Sequence, residues 1–451
     1  MQIEKGNKKI ISAWCWYDWA NSVYPLVITT AVFPLYFAVV TKVGNVDTIH
    51  IFGRDIKNSE FYSYLVSLSF LMVSMISPVL SGIADYAGRK KLFMQIFSWI
   101  GSLASVSLFF FTGPENLWIG VGGSVLASIG FAGSLVFYNA FLPEIVEEDK
   151  MDGVSARGFT MGYIGSSLLL IMCFILIMKP AMFGIPNLAS GEPNVGLATR
   201  ISFLLAGLWW MGFARITFAG LPSHTRKRSL EQGHLLSHGY RELRGVLKHL
   251  GQPAQARIRL FLTGFFFCAL GYMTVIYLAT FFGKDEIGLQ DAQLMLTVLI
   301  IQFVAIGGSY LFAWVSSKLG NIPAMMCTAI VWALVCGVTY FVQDAVGFYI
   351  IAFFVGTVMG GIQALARSTY AKLLPATEDH ASYYSFYELT EKVATALGTF
   401  SYGLIIAITG TMRNASLFLG CMFLIGVVFL YLAYKAKVGR AAGPTNVGGN
   451  A

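Results

Sequence analysis

Ser81-Gly82-Ile83-Ala84-Asp85-Tyr86-Ala87-Gly88-Arg89-Lys90-Lys91 stands between two apolar runs, 60–82 and 92–112. The small residues Ser81, Gly82 and Ala84 let two helices approach, and Gly88 permits a tight turn. Asp85 can meet the N-terminus of a helix, where the backbone dipole favours a negative charge. The three cations that follow hold the loop on one side of a membrane. The stretch therefore reads as a short cationic link between two membrane-crossing helices.

Composition agrees with that reading. The 451 residues are 56% hydrophobic and only 12% charged, with aromatics at 15% and 47 glycines. A soluble domain carries about 25% charged residues. Half that supply leaves too little polar surface to face water. A bilayer core takes about 20 apolar residues per helix, and the apolar runs fall at roughly 10–41, 60–82, 92–112, 118–142, 157–179, 200–221, 259–283, 290–316, 323–342, 346–370, 382–410 and 415–437. This predicts an all-α polytopic membrane protein of twelve spans. The first run is too long for a signal peptide and lacks a small-residue cleavage site, so it is expected to be retained.

Segments between spans alternate sides, and Lys and Arg concentrate on the cytoplasmic one. One side takes 21 of these residues and the other 7, which predicts cytoplasmic N- and C-termini. The net charge of +8 is thereby explained as a membrane-topology bias and not as a nucleic-acid surface. The six cysteines (15, 173, 268, 327, 336 and 421) lie in apolar runs without Cys-x-x-Cys spacing, so neither disulfide nor metal is expected.

Gly88, Tyr138, Leu142 and Pro143 recur as Gly320, Tyr370, Leu374 and Pro375 at a constant offset of 232. The chain is thus expected to fold as two pseudo-symmetric six-helix bundles, residues 1–221 and 259–451. Parallel repeats of this kind rock around a central site. Residues 222–258 form the cytoplasmic linker. Tyr240, Leu243, Val246, Leu247 and Leu250 are at helical spacing among Arg241, Arg244 and Lys248, predicting a helix with its apolar stripe in lipid and its cations at anionic headgroups. A partner-binding helix is the other reading.

The 81–91 loop resembles the signature loop of the major facilitator superfamily. Tyr86 stands where that family usually places a basic residue, so one ion pair of the family latch is not available there. The second copy, Ala313 to Asn321, keeps Gly320 and lacks the Asp. A narrower resemblance rests on Trp16-Tyr17-Asp18-Trp19-Ala20-Asn21-Ser22, Phe137 to Glu144, Ser155-Ala156-Arg157-Gly158, and Gly360 to Ser368. Together these look like the vacuole-effluxer-like branch of the major facilitators, whose best-known eukaryotic member is an autophagy-related vacuolar amino-acid effluxer. The resemblance implies secondary transport of a small solute by alternating access, with amino acids the leading class and export the expected direction. It implies no enzyme activity and no cofactor.

Charges within a span cost roughly 2.5–3.5 kcal/mol on insertion scales and usually face a cavity or a partner. Asp18 and Asn21 share one face of span one, with Pro25 one turn on, where a missing backbone donor bends a helix. A headgroup belt of Trp14, Trp16, Tyr17 and Trp19 is the bland alternative; the depth of Asp18 favours the cavity. In span eleven, Glu388 and Lys392 have the favourable i, i+4 order, with Glu391 between them. They form either a self-neutralising pair or a site in which Lys392 holds a substrate carboxylate or phosphate. Arg367 in span ten could take a carboxylate bidentately. Tyr138, Asn139 and Gln363, on spans four and ten, line the cavity in the fold that the resemblance implies, or else satisfy neighbouring backbone. Asp18, Glu388 and Glu391 are the acids that would carry a coupled proton, with sodium the other candidate ion, although nothing in the sequence demands coupling. Gly158, Gly162 and Gly165 suit close helix packing. Asp85, Gly88 and Arg89 form the expected gating loop.

Other classes fit less well. A membrane enzyme needs a nucleophile–base pair or a metal cluster, whereas the six histidines (50, 224, 234, 238, 249 and 380) read as solvated loop residues. A receptor or scaffold would show a soluble domain or a long tail. A lipid, lysolipid or drug carrier on the same fold stays open. The expected partners are a small-molecule substrate and the lipid bilayer, with no nucleic acid, and the chain is expected to be a monomer. Short loops favour the plasma membrane of a bacterium, or a vacuolar or lysosomal membrane if the chain is eukaryotic. If Asp85 latches the cytoplasmic end, Asp85→Asn shifts the balance toward the inward-open form. Unchanged labelling of cytoplasmic-side cysteine probes would remove that role.

Overall fold

The computed structural model describes residues 5–42, 48–51, 54–57, parts of 68–84, 88–223 and 235–436 without 376 and 378. Asp85 and most of the second expected span lie outside them. Ten helices among the described residues are long and apolar enough to cross a membrane.

The first span is composite. Helix α1 (Lys8–Asn21) is capped by Asn7, whose side chain accepts from the Lys9 amide at 3.0 Å. The expected bend at Pro25 takes a specific form. From Tyr24 to Val32 the backbone adopts π geometry before α2 (Phe33–Val40) resumes. Pro25 cannot donate to the i−4 carbonyl, and the ladder shifts to the wider register. Thr30 Oγ1 donates to the Pro25 carbonyl at 2.8 Å.

A small hairpin follows this span and leaves the all-α class of the molecule unchanged. Strands β1 (Thr48–Ile51) and β2 (Arg54–Lys57) pair antiparallel, Thr48 opposite Lys57. Thr48, Ile49, Ile51 and Ile56 are β-branched residues that suit a pleated ribbon.

The remaining helices are α3 (Lys90–Ser107), α4 (Leu117–Ala140), the short α5 (Leu142–Ile145), α6 (Met151–Met178) and α7 (Val195–Gly220). There follow α8 (Leu235–Gly251), α9 (Ala256–Asp285), α10 (Asp291–Leu319), α11 (Asn321–Thr339), α12 (Ala345–Leu373), α13 (His380–Thr409) and α14 (Met412–Lys435). Helix α13 is 30 residues long and carries Glu388, Glu391 and Lys392 within it.

Within the first half, α1 packs on α6 and α7, and α3 on α4 and α7. In the second half α9 packs on α13 and α14, and α10 on α12. The halves meet where α6 lies against α10 and α12, and α4 against α13. Trp14, Trp210 and Trp332 are fully buried, whereas Trp118, Phe341 and Ile408 stand outward on the flanks. Cys421 is exposed on that flank as well, unlike the buried Cys15, Cys173, Cys268 and Cys336.

Gly88 and Gly320, the corresponding glycines of the two halves, both have positive φ, 63° and 89°, Gly320 as the cap of its helix and Gly88 one residue before the cap Arg89. Lys91 donates to the Leu221 carbonyl at 2.7 Å, placing a cation at the C-terminal end of α7.

Linker helix α8 departs from the lipid-facing expectation. Val246 and Leu250 are buried in protein against the chain's second half, and only Leu247 of the described stripe is exposed. His249 and Tyr383 hydrogen-bond at 3.0 Å between the Nδ1 and hydroxyl atoms. Arg259 donates to the Leu250 carbonyl and, at 2.5 Å, to that of Gln252, tying the end of α8 to α9.

Close approach of α3 and α4 rests on glycine. A Cβ on Gly130 would lie 2.3 Å from the Gly101 backbone, with no flexible side chain to yield. Gly130→Ala is expected to destabilise the fold by about 1–3 kcal/mol, the usual range for overpacking. Thermal unfolding of detergent-purified protein, followed by gel filtration, would register this as a lowered midpoint.

Candidate functional site

Between the halves lies a cavity of about 220 Å³. Asp18, Asn21, Asn139, Gln363, Arg367, Glu388, Glu391 and Lys392 all line it. Tyr138, the other nominated residue, stands behind Asp18. The polar groups of the cavity are joined by an apolar wall that includes Leu26, Ile276, Val298, Ile301, Val355 and Met359.

Asp18 and Arg367 are separate nominations in the sequence, and the fold joins them. Arg367 Nη1 donates to Asp18 Oδ2 at 3.0 Å, across 349 residues of chain and between the two halves. The same carboxylate oxygen accepts from the Tyr138 hydroxyl at 2.8 Å. Arg367 Nε donates to Ser155 Oγ at 3.0 Å and Nη2 to the Ser155 carbonyl at 2.7 Å. Its guanidinium lies over Phe159, 4.1 Å from the ring centre, and over Trp14 at 4.7 Å. Every nitrogen of Arg367 thus has a partner, and the bidentate grip on a substrate carboxylate expected from its chemistry is taken up by Asp18 and Ser155. Trp14 stacks on Tyr138 and donates to its carbonyl at 2.9 Å, so it builds the site's wall and not a headgroup belt.

Helix α6 can come this close because of its glycines. A Cβ on Gly158 would lie 2.4 Å from Asp18 Oδ2 and 2.8 Å from Arg367 Nη2. One on Gly162 would lie 2.4 Å from Ser22 Oγ, and one on Gly165 2.9 Å from the Trp19 carbonyl.

The span-eleven charges form a second group. Lys392 Nζ is 2.8 Å from Glu391 Oε2 and 3.6 Å from Glu388 Oε2, so the adjacent acid and not the i−4 one makes the hydrogen bond. Tyr272 donates to Glu391 Oε1 at 2.7 Å, and Asn139 Nδ2 donates to Glu388 Oε1 at 2.9 Å. The latter bond again crosses between the halves. Gln363 does the same, accepting from Tyr163 at 2.5 Å. Asn21 Nδ2 has no hydrogen-bond partner among the described residues.

Beyond the cavity, the end at which the Gly6 amide donates to the Ile145 carbonyl is sealed by groups that sequence reasoning does not pick out. Asp152, at the start of α6, accepts from Ser316 and Lys372 at 2.8 Å each and from Asn321 at 2.6 Å. Those three residues belong to the other half. The sequence signal is the second loop copy, which has lost its own acid; Asp152 supplies one from outside. Glu144 pairs with Lys90 and with His380 Nδ1, the latter at 2.9 Å. His249 and His380 are therefore not solvated loop residues: both sit on helices and hold partners. Gly88 and Arg89 lie beside this seal, Arg89 preceding the first turn of α3. Asp85 is outside the described residues.

Comparisons with known proteins agree with this architecture. A family model described as "Vacuole effluxer Atg22 like" matches residues 6–443. An uncharacterized MFS-type transporter of Bacillus subtilis, YxiO, is 31% identical over 420 residues, covering 93% of each chain. Autophagy-related protein 22-1 of Aspergillus niger is 23% identical over 481 residues, 87% of this chain and 76% of its own length. Among solved structures, the major facilitator transporter FucP in its outward conformation is 13% identical, with 96% and 99% of the two chains covered and a TM-score of 0.66. The proton:xylose symporter XylE is 12% identical, with 94% and 95% covered and a TM-score of 0.68. At such identities the structural likeness establishes the fold alone, which is that of the major facilitators.

Removing one member of a buried ion pair strands the other and typically costs about 3–5 kcal/mol. Asp18→Asn is therefore expected to lower folded yield and melting temperature sharply. The double variant Asp18→Asn with Arg367→Gln should recover much of both. Melting of all four proteins of this cycle gives the coupling directly.

Proposed function

The chain belongs to the vacuole effluxer Atg22-like family of membrane transporters, and from that premise we propose that it moves a small zwitterionic solute by alternating access, amino acids and related metabolites being the leading class. The observation carrying this reading is the cavity at the junction of the halves, lined by both signs of charge and sealed at one end by bonds that cross the junction. A zwitterion needs both signs within one small space. Lys392 is the cation best suited to a substrate carboxylate, since Arg367 is fully engaged. Glu388 and Glu391 supply the opposite sign.

The 21-to-7 distribution of cations supports termini in the cytoplasm. On that orientation the sealed end is cytoplasmic and the cavity belongs to an outward-facing state. Export from the cytoplasm, operation as a monomer and a place in a plasma membrane complete the reading; a vacuolar or lysosomal membrane applies if the source is eukaryotic. A second reading, carriage of a lipid, lysolipid or drug, is favoured by the apolar wall that runs from Leu26 to Met359.

Counterflow in proteoliposomes tests the first reading. Proteoliposomes preloaded with unlabelled amino acids are expected to accumulate at least one labelled amino acid, and Lys392→Met combined with Glu391→Gln, which removes both members of the buried pair, to abolish that accumulation at near-wild-type folded yield. No accumulation of any labelled amino acid by correctly inserted wild type would transfer the case to lipids, organic anions and drugs.

A further inference from the structure

The ionised side chains lining the cavity do not sum to zero. Asp18 and Arg367 neutralise each other, and so do Glu391 and Lys392 at 2.8 Å. Glu388 is the remaining acid, 2% exposed. Lys392 forms a long ion pair with its Oε2 at 3.6 Å and a hydrogen bond with Glu391 at 2.8 Å, so one cation serves two acids.

A second, independent observation concerns hydrogen bonds. Asn139 Nδ2 donates to Glu388 Oε1 at 2.9 Å. The other polar atom of each group, Asn139 Oδ1 and Glu388 Oε2, is buried and has no hydrogen-bond partner among the described residues. Both are acceptors when Glu388 is ionised, so each would be left unsatisfied in a dry interior, at a cost. One proton on Glu388 Oε2 changes this. The group becomes a donor, and Asn139 Oδ1 is the orphaned acceptor on the amide it already touches. A cyclic pair with two hydrogen bonds is the arrangement that a protonated acid and an amide in contact can close.

We propose that Glu388 is a proton-binding site and that its acid–amide pair with Asn139 is a proton-dependent clasp between the halves. Asn139 ends α4 of the first half and Glu388 lies on α13 of the second, so the clasp spans the junction. The proton comes from water reaching the cavity and forms one O–H bond on Oε2. It returns to water when the halves part and the bond breaks. Loss of the proton leaves two acceptors facing each other and restores the excess negative charge, which favours opening of the sealed end.

The groups around Glu388 set its response. On its own helix these are Lys392, Glu391 and Tyr387. Tyr272 and Tyr277 face the cavity from α9, Arg367 from α12, and Asp18 from α1. Asp18 is matched by Arg367, whereas Lys392 is shared between Glu391 and Glu388, so two acids face one cation and a proton on Glu388 removes the surplus charge. This inference does not depend on which solute is carried; it survives failure of the amino-acid counterflow.

Two readouts test it on the full chain in nanodiscs. Infrared spectra should show a protonated carboxyl band at neutral pH that vanishes in Glu388→Gln. Spin labels at Asp149→Cys and Lys318→Cys, with the exposed Cys421 replaced by Ser, report closure of the sealed end. In wild type the closed-to-open ratio should fall by up to about tenfold per pH unit above the Glu388 midpoint, the slope for one linked proton. The side-chain amide of the Glu388→Gln variant can donate and accept as the protonated acid does, so closure there should persist at all pH values. Asn139→Leu, which removes the amide, should weaken closure at low pH. A carboxyl band that survives Glu388→Gln, or closure in that variant that follows pH as in wild type, would overturn the proposal.

Discussion

A guanidinium buried in a membrane-spanning bundle must find its charge partner and its hydrogen bonds within the protein. Arg367 meets this requirement with Asp18 from the first helix, both polar groups of Ser155, and the faces of Phe159 and Trp14. Much of the architecture follows from that single demand. Span one has to carry an acid at mid-depth, α6 has to present glycine at position 158, and the two halves have to close on one another where the pair forms. The seal around Asp152 and Glu144 is built at the same end of the junction, outside the pair.

Such an arrangement is a poor source of net stability. Desolvating two ions offsets most of their attraction, and a well-packed apolar pair often does as well. What the pair supplies is register between the halves. When the sealed end parts, water takes over the solvation that each ion loses, so separation is tolerable only in a state that admits water from that side. The outer seal depends on side chains somewhat less buried, 10–16% exposed against 3–6% for the pair. Closure is therefore graded, with a rim of ordinary ion pairs and a dry core that opens only on wetting.

Much of this is legible in the sequence. The spans follow from apolar run length, and the shared face of Asp18 and Asn21 from helical spacing. The repeated glycine turns follow from the 232-residue offset. Partner choice is not legible. Periodicity reports which face a residue occupies and says nothing of which helix lies opposite, so Asp18 and Arg367 are each recognisable without the other. Lys392 makes its shorter contact with the adjacent Glu391, 2.8 Å against 3.6 Å to Glu388, although the i, i+4 order singles out Glu388. Asp152 reads as one acid among several in a polar loop. The stripe on α8 is apolar as its spacing indicates, yet a helix moment cannot distinguish a bilayer from the flank of a neighbouring bundle. The β1–β2 hairpin is too short to stand out against long apolar runs.

The π-helical stretch from Tyr24 to Val32 has a mechanical meaning of its own. A wide turn holds one residue more than an α turn, and moving that residue along the ladder exchanges hydrogen bonds without leaving any of them unmade. Each such step turns the residue that the wide turn passes by about 100° and shifts it by about 1.5 Å, while the flanking helices stay in place. Span one is in this sense a sliding joint: α1 can stay anchored through Asp18 while the residues leading into α2 turn one at a time, Leu26 and Thr30 at the cavity wall among them. Motion on one side of the molecule need not be transmitted rigidly to the other.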